Sequence, residues 1–591
     1  MPKLPYLRPR AQTRRTTDSF LGYDHRARIA EGAMYDMENL SSRACPLLAT
    51  RPRRGTLQTL AAPGGMIAKD ALAWVDGGTL YYNSLPTGLT GLSGGEKQLV
   101  SMGAYLLVFP DKCYLNTADL TDFGSMEAHY VYSGPVTYTP CHCDGTPLPD
   151  AVTAESEPEN PANGDMWLDS VSGTLMQYSE AQLMWVELET PYTRLDFTTE
   201  GQLPALFAQY DGVTVSGAGE LDGEKILYAV SGGEGGDSLV LVGLTPATYT
   251  VENARVELDR TLPDMDYVCQ CRNRLWGCRY GLVNGETVNE IYASALGDFK
   301  NFRQYLGLAT DSWTASCGSD GVFTGAVSFL DSPVFFKENV IHRVTVSSAG
   351  AHRLSESACR GVQKGSAKSL AVVGDTLYYK SRQDVCAWQG GIPQSVSRPL
   401  GDESYRDAVG GAFGSRYYLS MLDAAGESGL FVYDTDLKLW HREDGFRPLC
   451  FAEADGELYA IEQATGALTA MTGKAGTPEA ALPWRFETGL LSYALSGEKC
   501  VSRYHLRLSL EPGCSATAWI EYDSDGVWHN AGTIQAPDSD VQSAPVFPVL
   551  LPVRPRRCDH LRLRLTGTGE LRLHAISRIV EGGSDVVRTA P

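Results

Sequence analysis

Most of this chain is written in short runs of apolar residues or of alternating apolar and polar residues, broken by Gly, Asp, Asn or Pro. Ala71-Leu-Ala-Trp-Val-Asp-Gly-Gly-Thr-Leu-Tyr-Tyr82 is the pattern in miniature, with two strands on either side of an Asp76-Gly77-Gly78 turn. Tight hairpins need positive φ at their central residues, which is why Gly, Asn and Asp sit there. The same grammar returns at Leu99–Leu115 around Gly103 and Pro110-Asp111, and at Tyr267–Tyr280 around Arg272-Asn273. It returns again at Phe323–Val344 around Asp331-Ser332-Pro333 and Glu338-Asn339, and at Ser369–Tyr379 around Gly374-Asp375. Asp407–Trp440 turns at Gly414-Ser415, and Leu449–Ile461 turns at Asp455-Gly456. From Tyr267 onward the units recur every ~40 to 55 residues, near the length of a propeller blade. One such unit cannot bury both of its faces, whereas radial stacking can. The pattern therefore predicts an all-β chain with a six- or seven-bladed β-propeller, its first blades over 58–129 and the rest over 263–479. No WD or kelch signature fixes the blade number, and no segment carries a long helical period.

Two stretches depart from this rhythm. Residues 130–262 include a polar, Pro- and Gly-rich loop, Glu155-Ser-Glu-Pro-Glu-Asn-Pro-Ala-Asn-Gly164. Three short aromatic runs follow: Asp165–Asp169, Leu175–Tyr178 and Met184–Val186. This region is predicted to be a small β-rich insertion domain. Residues 480–591 alternate strictly, as in Val501–Leu510, Ala516–Tyr522, His560–Leu565 and Glu570–His574. Period two over many strands predicts an antiparallel β-sandwich. Its arginines Arg562, Arg564 and Arg572 are expected on one outward face.

Composition places the chain among ordinary globular proteins, with 43% hydrophobic and 20% charged residues. A net charge of −21 argues against general nucleic-acid binding by the whole surface. The charge is uneven, however. Residues 1–54 hold eleven Lys/Arg and five Asp/Glu, giving +6 there and −27 over the remainder. Residues 1–57 thus read as an extended basic arm able to dock on nucleic acid or on an acidic neighbour, including another copy of the chain. A solvated tail is the plainer alternative. The candidate inter-subunit docking residues are Arg26, Arg28, Arg51, Arg53, Arg54, Arg562 and Arg564. On this reading, loss of residues 1–54 leaves the propeller foldable and impairs assembly. Lys3–Arg15 holds no apolar signal core, and no window approaches ~20 consecutive apolar residues, so no membrane span is expected. The cysteines, among them Cys113, Cys269, Cys271, Cys278, Cys386 and Cys450, fall in strand-like runs and read as small buried hydrophobes in a reducing compartment.

Reaction chemistry is hard to find. Cys141-His142-Cys143-Asp144 has metal-ligating types but lacks the second cluster of a tetrahedral site and reads as a turn or strand. Cys269 and Cys271, with Cys278 nearby, point to one face of a strand, which is most simply the core. Acid pairs such as Asp264/Asp266, Glu286/Glu290 and Asp402/Glu403 stand in no motif of the kind glycoside cleavage requires. No nucleophile elbow with a triad and no phosphate loop is present; Gly361-Val-Gln-Lys-Gly365 is a basic turn. The expectation is a protein that is not an enzyme, with no cofactor and no metal.

Three segments, taken in order, resemble a known family. The first is Gly32-Ala-Met-Tyr-Asp-Met-Glu-Asn-Leu40, followed by Pro46 and the Arg51-Pro52-Arg53-Arg54 cluster. The second is Arg272-Asn273-Arg274-Leu-Trp-Gly277, then Ile291-Tyr-Ala-Ser294 and Leu296-Gly-Asp-Phe-x-x-Phe302. The third is Phe486-Glu-Thr-Gly489, then Lys499 before alternating strands. Together they look like the tail-nozzle and packaged-DNA-stabilising β-propeller proteins of bacteriophage head–tail connectors. The resemblance implies a structural virion protein, assembled in the host cytoplasm, that forms a ring in the tail and lines or closes the DNA exit channel. The implied partners are copies of itself, portal, adaptor or other tail proteins, and packaged DNA in transient contact. An acid-lined channel would let DNA slide without sticking. The alternatives are a tail adhesin or baseplate component that binds a host glycan through 130–262, where Asn160–Asp169 is similar to small strand modules of host-contact proteins, and a carbohydrate-active propeller enzyme.

Overall fold

The structure, a computed structural model, describes residues 12–233, 235–347, 350–492, 498–536, 546–553 and 556–582. Lys3, Arg8 and Arg10 lie outside them. The chain is all-β: its one α-helix among these residues is Leu203–Leu206, and no helix is long and apolar enough to cross a membrane. Two compact units divide it, one of residues 1–96, 336–341 and 357–591, the other of residues 97–335 and 342–356.

The first unit holds four blade-like antiparallel sheets. Pro63–Lys69, Ala71–Asp76, Thr79–Tyr82 and Leu85–Pro86 form one, and Ala371–Val373, Thr376–Lys380, Val385–Trp388 and Gln394–Ser395 a second. Arg406–Phe413, Arg416–Leu422, Ser428–Asp434 and Leu439–Arg442 form the third. The fourth is built from Pro448–Ala454, Glu457–Glu462 and Ala467–Ala470 and is completed by Gly55–Thr59, a strand nearly 400 residues away along the chain.

The same unit contains a two-sheet sandwich. One sheet runs Leu40–Ser41, Leu48–Thr50, Leu571–Gly582, Lys499–Leu510, Phe547–Leu551, with Gln12–Thr17 paired along Leu571–Gly582. The other runs Met34–Glu38, Pro483–Thr488, Leu561–Thr568, Ser515–Tyr522, Trp528–Gln535. Alternation decides which side chains face inward: Leu561, Leu563 and Leu565 are buried with Leu506, Leu508 and Leu573 of the opposite sheet, while Arg562 and Arg564 face out. Arg562 and Arg564 lie on one sheet and Arg572 on the other, so the three do not share a face as the alternation suggested. The extended arm expected over residues 1–57 is also corrected: from Gln12 onward the segment supplies four sandwich strands and one blade strand.

The second unit holds three blade-like sheets. Gln98–Met102, Tyr105–Phe109, Cys113–Asn116 and Phe123–Ser125 form one, and Tyr267–Cys271, Arg274–Val283, Glu286–Ala293 and Trp313–Ser316 the next. Gly325–Phe329, Ser332–Phe336, Val340–Val346 and His352–Ala358 form the third, of which residues 336–341 and 357–358 count with the first unit. The seven turn-centred repeats of the sequence thus fall one to each of seven blade-like sheets. Arg272 and Asn273, at φ 51° and 55°, make the expected left-handed hairpin turn. The turn expected at Asp331-Ser332-Pro333 lies one residue earlier, at Leu330 and Asp331, with Ser332 already in its strand.

The insertion is larger than the aromatic runs alone suggested. A seven-stranded antiparallel sheet, centred on the paired long strands Ala128–Cys141 and Tyr249–Arg260, encloses its own apolar core. The three aromatic runs, joined by Val152–Ala154 in parallel with Met166–Asp169, form a separate four-stranded module. Trp185 anchors it, edge-on to Trp167 at 5.6 Å and to Tyr178 at 5.4 Å between ring centroids.

Acid sensitivity is built into the first unit at His441, buried in Leu439–Arg442. Burial lowers its pKa to about 4, Asp434 opposing the shift and Arg416 adding to it. The native state refuses a proton that the unfolded chain accepts near pH 6.5. Stability is therefore complete above about pH 6.5 and declines as pH falls toward 4, by up to about 3 kcal/mol. Urea unfolding near pH 7 and near pH 4.5, for the parent and for His441→Phe, measures this. The variant should lose much of the pH dependence; an unchanged difference would assign it elsewhere.

Candidate assembly surface

The motif residues of Gly32–Leu40 divide into a turn, core, ion-pair and hydrogen-bonding positions. Gly32 turns at φ +97° so close to Ser19 that a Cβ would stand 2.5 Å from its carbonyl oxygen. Met34, Met37 and Leu40 are fully buried in the sandwich core. Asp36 faces outward and pairs with Arg485 at 2.7 Å and Arg442 at 3.2 Å. Asn39 takes φ 57° and is buried, its amide donating to the Pro483 carbonyl at 2.7 Å and its oxygen accepting from Arg51 Nε at 2.7 Å.

Arg51 and Arg54 enter a buried ionic node. Arg51 contacts Glu479 at 2.5 Å and Asp444 at 3.4 Å. Arg54 contacts Glu443 and Asp444, each at 2.8 Å, and lies over the Phe446 ring at 4.6 Å. Arg51 is 3% exposed and Arg54 7%, so neither reaches a partner subunit. Their assignment as docking residues is corrected: their charge is neutralised inside the first unit. Burial alone would raise the Asp444 carboxyl, but the charge and hydrogen bonds of Arg54 outweigh it and hold it below the usual carboxylate range. Arg53 pairs with Glu511 at 2.6 Å and is partly exposed.

Arg562 and Arg564 belong to a charge ladder across the outer face of the second sandwich sheet. Asp36 meets Arg485, Glu487 meets Arg564 at 2.6 Å, and Glu521 lies 4.0 Å from Arg562. Arg564 stacks on Trp528 at 3.7 Å and Arg562 on Tyr35 at 4.5 Å. Cross-strand pairs of this kind stabilise a sheet by tenths of a kcal/mol each, up to about 1. Of the seven arginines, Arg26 and Arg28 remain on an exposed loop, with Arg26 forked onto Asp24 at 2.6 and 2.8 Å. Arg14, in Gln12–Thr17, is exposed as well.

The second resembling segment is just as firmly embedded. Arg274 is buried and donates to the carbonyls of Ser294, Asp311 and Ala309 at 2.6, 2.6 and 2.7 Å. Trp276 is buried, a Cβ on Gly277 would strike Met265, and Phe299 and Phe302 fill an adjoining core. In the third segment, Phe486 is core, Glu487 joins the ladder, and a Cβ on Gly489 would strike Ile29.

The residues weighed for chemistry are tied into structure. Asp264 pairs with Lys112 at 2.9 Å and Asp266 with Arg279 at 2.7 Å. Glu403 accepts from the Tyr405 hydroxyl at 2.9 Å. Cys141 is buried, which pushes its thiol up to about 11, while Asp144 accepts the Thr146 amide in an exposed turn. Cys269, Cys271 and Cys278 share one core cluster.

No family model matches the chain, and no curated protein matches it. Among solved structures, BamB from Moraxella catarrhalis is similar at 11% identity and TM-score 0.28, over 71% of this chain and 97% of that one. The extracellular domain of a putative hybrid two component system from B. thetaiotaomicron gives 10% and 0.16, over 87% and 89%. An engineered GH43 glycoside hydrolase gives 10% and 0.20, over 54% and 97%. TM-scores this low carry neither a fold nor a function across to this chain.

Proposed function

We propose that this protein is a non-enzymatic structural component of a tailed-phage or prophage virion, forming an oligomeric ring at the head–tail connector as a nozzle or stopper on the DNA path. The observation that carries this reading is the Gly32–Leu40 motif. The residues that resemble the connector family are those that knit the N-terminal segment into the sandwich, each by a contact that depends on its chemistry. A segment so placed is a scaffold element, and the buried Arg274 hairpin has the same character. Contact between subunits then falls to the exposed loop bearing Arg26 and Arg28, against the acidic surface of a neighbouring copy or of a portal or adaptor protein, with packaged DNA as a transient neighbour.

Electron microscopy and mass photometry of the purified protein, with mass spectrometry of induced particles, test this. Rings in solution or in the tail, weakened by Arg26→Glu with Arg28→Glu, are expected. A chain that stays monomeric at micromolar concentration and is absent from particles would overturn it.

A second reading, a tail adhesin, draws on the small module of the insertion, where Leu183, 76% exposed, adjoins exposed Met184 and Val186. Host-cell binding that Leu183→Ser with Met184→Ser abolishes would favour it.

A further inference from the structure

The second unit brings together three metal-ligating side chains that no sequence motif links. Cys317 follows Trp313–Ser316, the outermost strand of one blade-like sheet; His342 lies in Val340–Val346 and Glu356 in His352–Ala358 of the next. One donor atom from each residue lies within 4.8 Å of the others. His342 Nε2 stands 3.6 Å from Glu356 Oε1 and 2.7 Å from the Ser319 hydroxyl.

The surroundings hold this group in place. The Cys317 amide donates to the Asn289 carbonyl at 2.8 Å, and the Asn289 side chain donates to the Cys317 and Ser319 carbonyls at 3.0 and 2.8 Å. The Gly318 amide donates to Glu356 Oε1 at 2.8 Å. His342 is fully buried against Phe323, and Cys317 shares a core cluster with Trp276 and Phe335, while Glu356 reaches the surface.

We propose that Cys317, His342 and Glu356 bind a divalent cation of the zinc type, which staples two neighbouring sheets along their outer strands. Sulfur, nitrogen and carboxylate oxygen form a donor set suited to zinc and unsuited to magnesium or calcium. Bond lengths of ~2.0–2.3 Å put tetrahedral ligands roughly 3.3–3.8 Å apart, so closure onto an ion needs an inward shift of about 1 Å. His342 Nε2 and Glu356 Oε1, 3.6 Å apart, already stand at such a spacing, and Glu356 reaches solvent. A thiolate and a carboxylate together balance the dication, so it enters this largely apolar setting without net charge. On binding, the Cys317 thiol transfers its proton to solvent and the sulfur–metal bond forms in its place. The fourth position falls to water or to the Ser319 hydroxyl. Because His342 must be neutral and Cys317 deprotonated to bind, protons compete with the ion and affinity falls with falling pH.

The test uses the full chain, stripped with a chelator and titrated with Zn2+, Co2+ and, as a control, Mg2+. One equivalent of Zn2+ and of Co2+ should bind, Co2+ giving thiolate charge-transfer and tetrahedral d–d absorption, with a raised Tm at saturating Zn2+. Cys317→Ser should remove the charge-transfer band, and Glu356→Gln, at the exposed ligand, should weaken binding by at least about tenfold. The proposal is overturned if the folded protein takes up no stoichiometric Zn2+, or if either variant, folded by circular dichroism, binds Co2+ with the parent spectrum and affinity. Uptake of Mg2+ equal to that of Zn2+ would also overturn it.

Discussion

A chain that starts at residue 55 will not form a stable sandwich. Removal of residues 1–54 takes away Gln12–Thr17, Met34–Glu38, Leu40–Ser41 and Leu48–Thr50. It also takes away Phe20, Met34, Met37, Leu40 and Leu48, each 3% exposed or less. Burying such side chains contributes roughly 1.5–3 kcal/mol each, so about 8–15 kcal/mol is lost before any strand pairing is counted. That is comparable to the whole stability of a typical domain, about 5–15 kcal/mol. Strand Leu571–Gly582 would also expose unpaired backbone along the length that Gln12–Thr17 covers, a template for aggregation. The expected outcome is insoluble protein, or soluble protein without the parent's cooperative thermal transition. Recovery of the truncated chain with the parent spectrum and Tm would restore the segment to the status of a detachable arm.

The second large effect is expected at Arg54. Its guanidinium makes hydrogen bonds to Glu443 at 2.8 Å and to Asp444 at 2.8 and 3.0 Å, nearly shielded from water. Removing Arg54 leaves Glu443 and Asp444 only the longer Arg51 contacts, at 3.8 and 3.4 Å, and breaking a buried pair from one side costs about 3–5 kcal/mol. Arg54→Ala should lose that amount in urea unfolding, and Arg54→Lys an intermediate amount, because a lysine cannot fork onto both acids. Arg54→Met combined with Asp444→Asn should recover part of the loss, since the uncompensated charge goes with its partner. The pH dependence follows the sign of the Asp444 shift. A carboxyl held below its unfolded value stabilises above the ordinary carboxylate range and loses that contribution as pH falls through its folded value. Arg54→Ala should flatten this acid limb. A loss under about 1 kcal/mol would show that water screens the node.

Much of the fold was legible in the chain because hairpin turns are local. Arg272-Asn273, Gly374-Asp375 and Gly414-Ser415 announce themselves by needing positive φ or tolerating it, and each lies between the strands it predicts. Strict alternation at Leu561–Thr568 likewise told the inward leucines from the outward arginines. The N-terminal segment was misread for a reason equally physical. Its partners are hundreds of residues away, so nothing nearby marks Arg51 and Arg54 as buried or supplies the acids that neutralise them. A run of arginines reads as a solvated or docking charge until Glu443, Asp444 and Glu479 arrive from elsewhere in the chain. The Cys317, His342 and Glu356 cluster was invisible on the same grounds, its ligands sitting on two sheets with no recognisable spacing.

The sequence by itself determined that this protein is built of short antiparallel strands in seven turn-centred repeats with a period-two domain behind them, because period and turn chemistry act over a few residues. Only the tertiary structure decided that the basic opening belongs inside the first unit, closing a blade-like sheet and edging both sheets of the sandwich. Long-range strand pairing and buried charge neutralisation depend on which distant residues meet, and no local pattern carries that information.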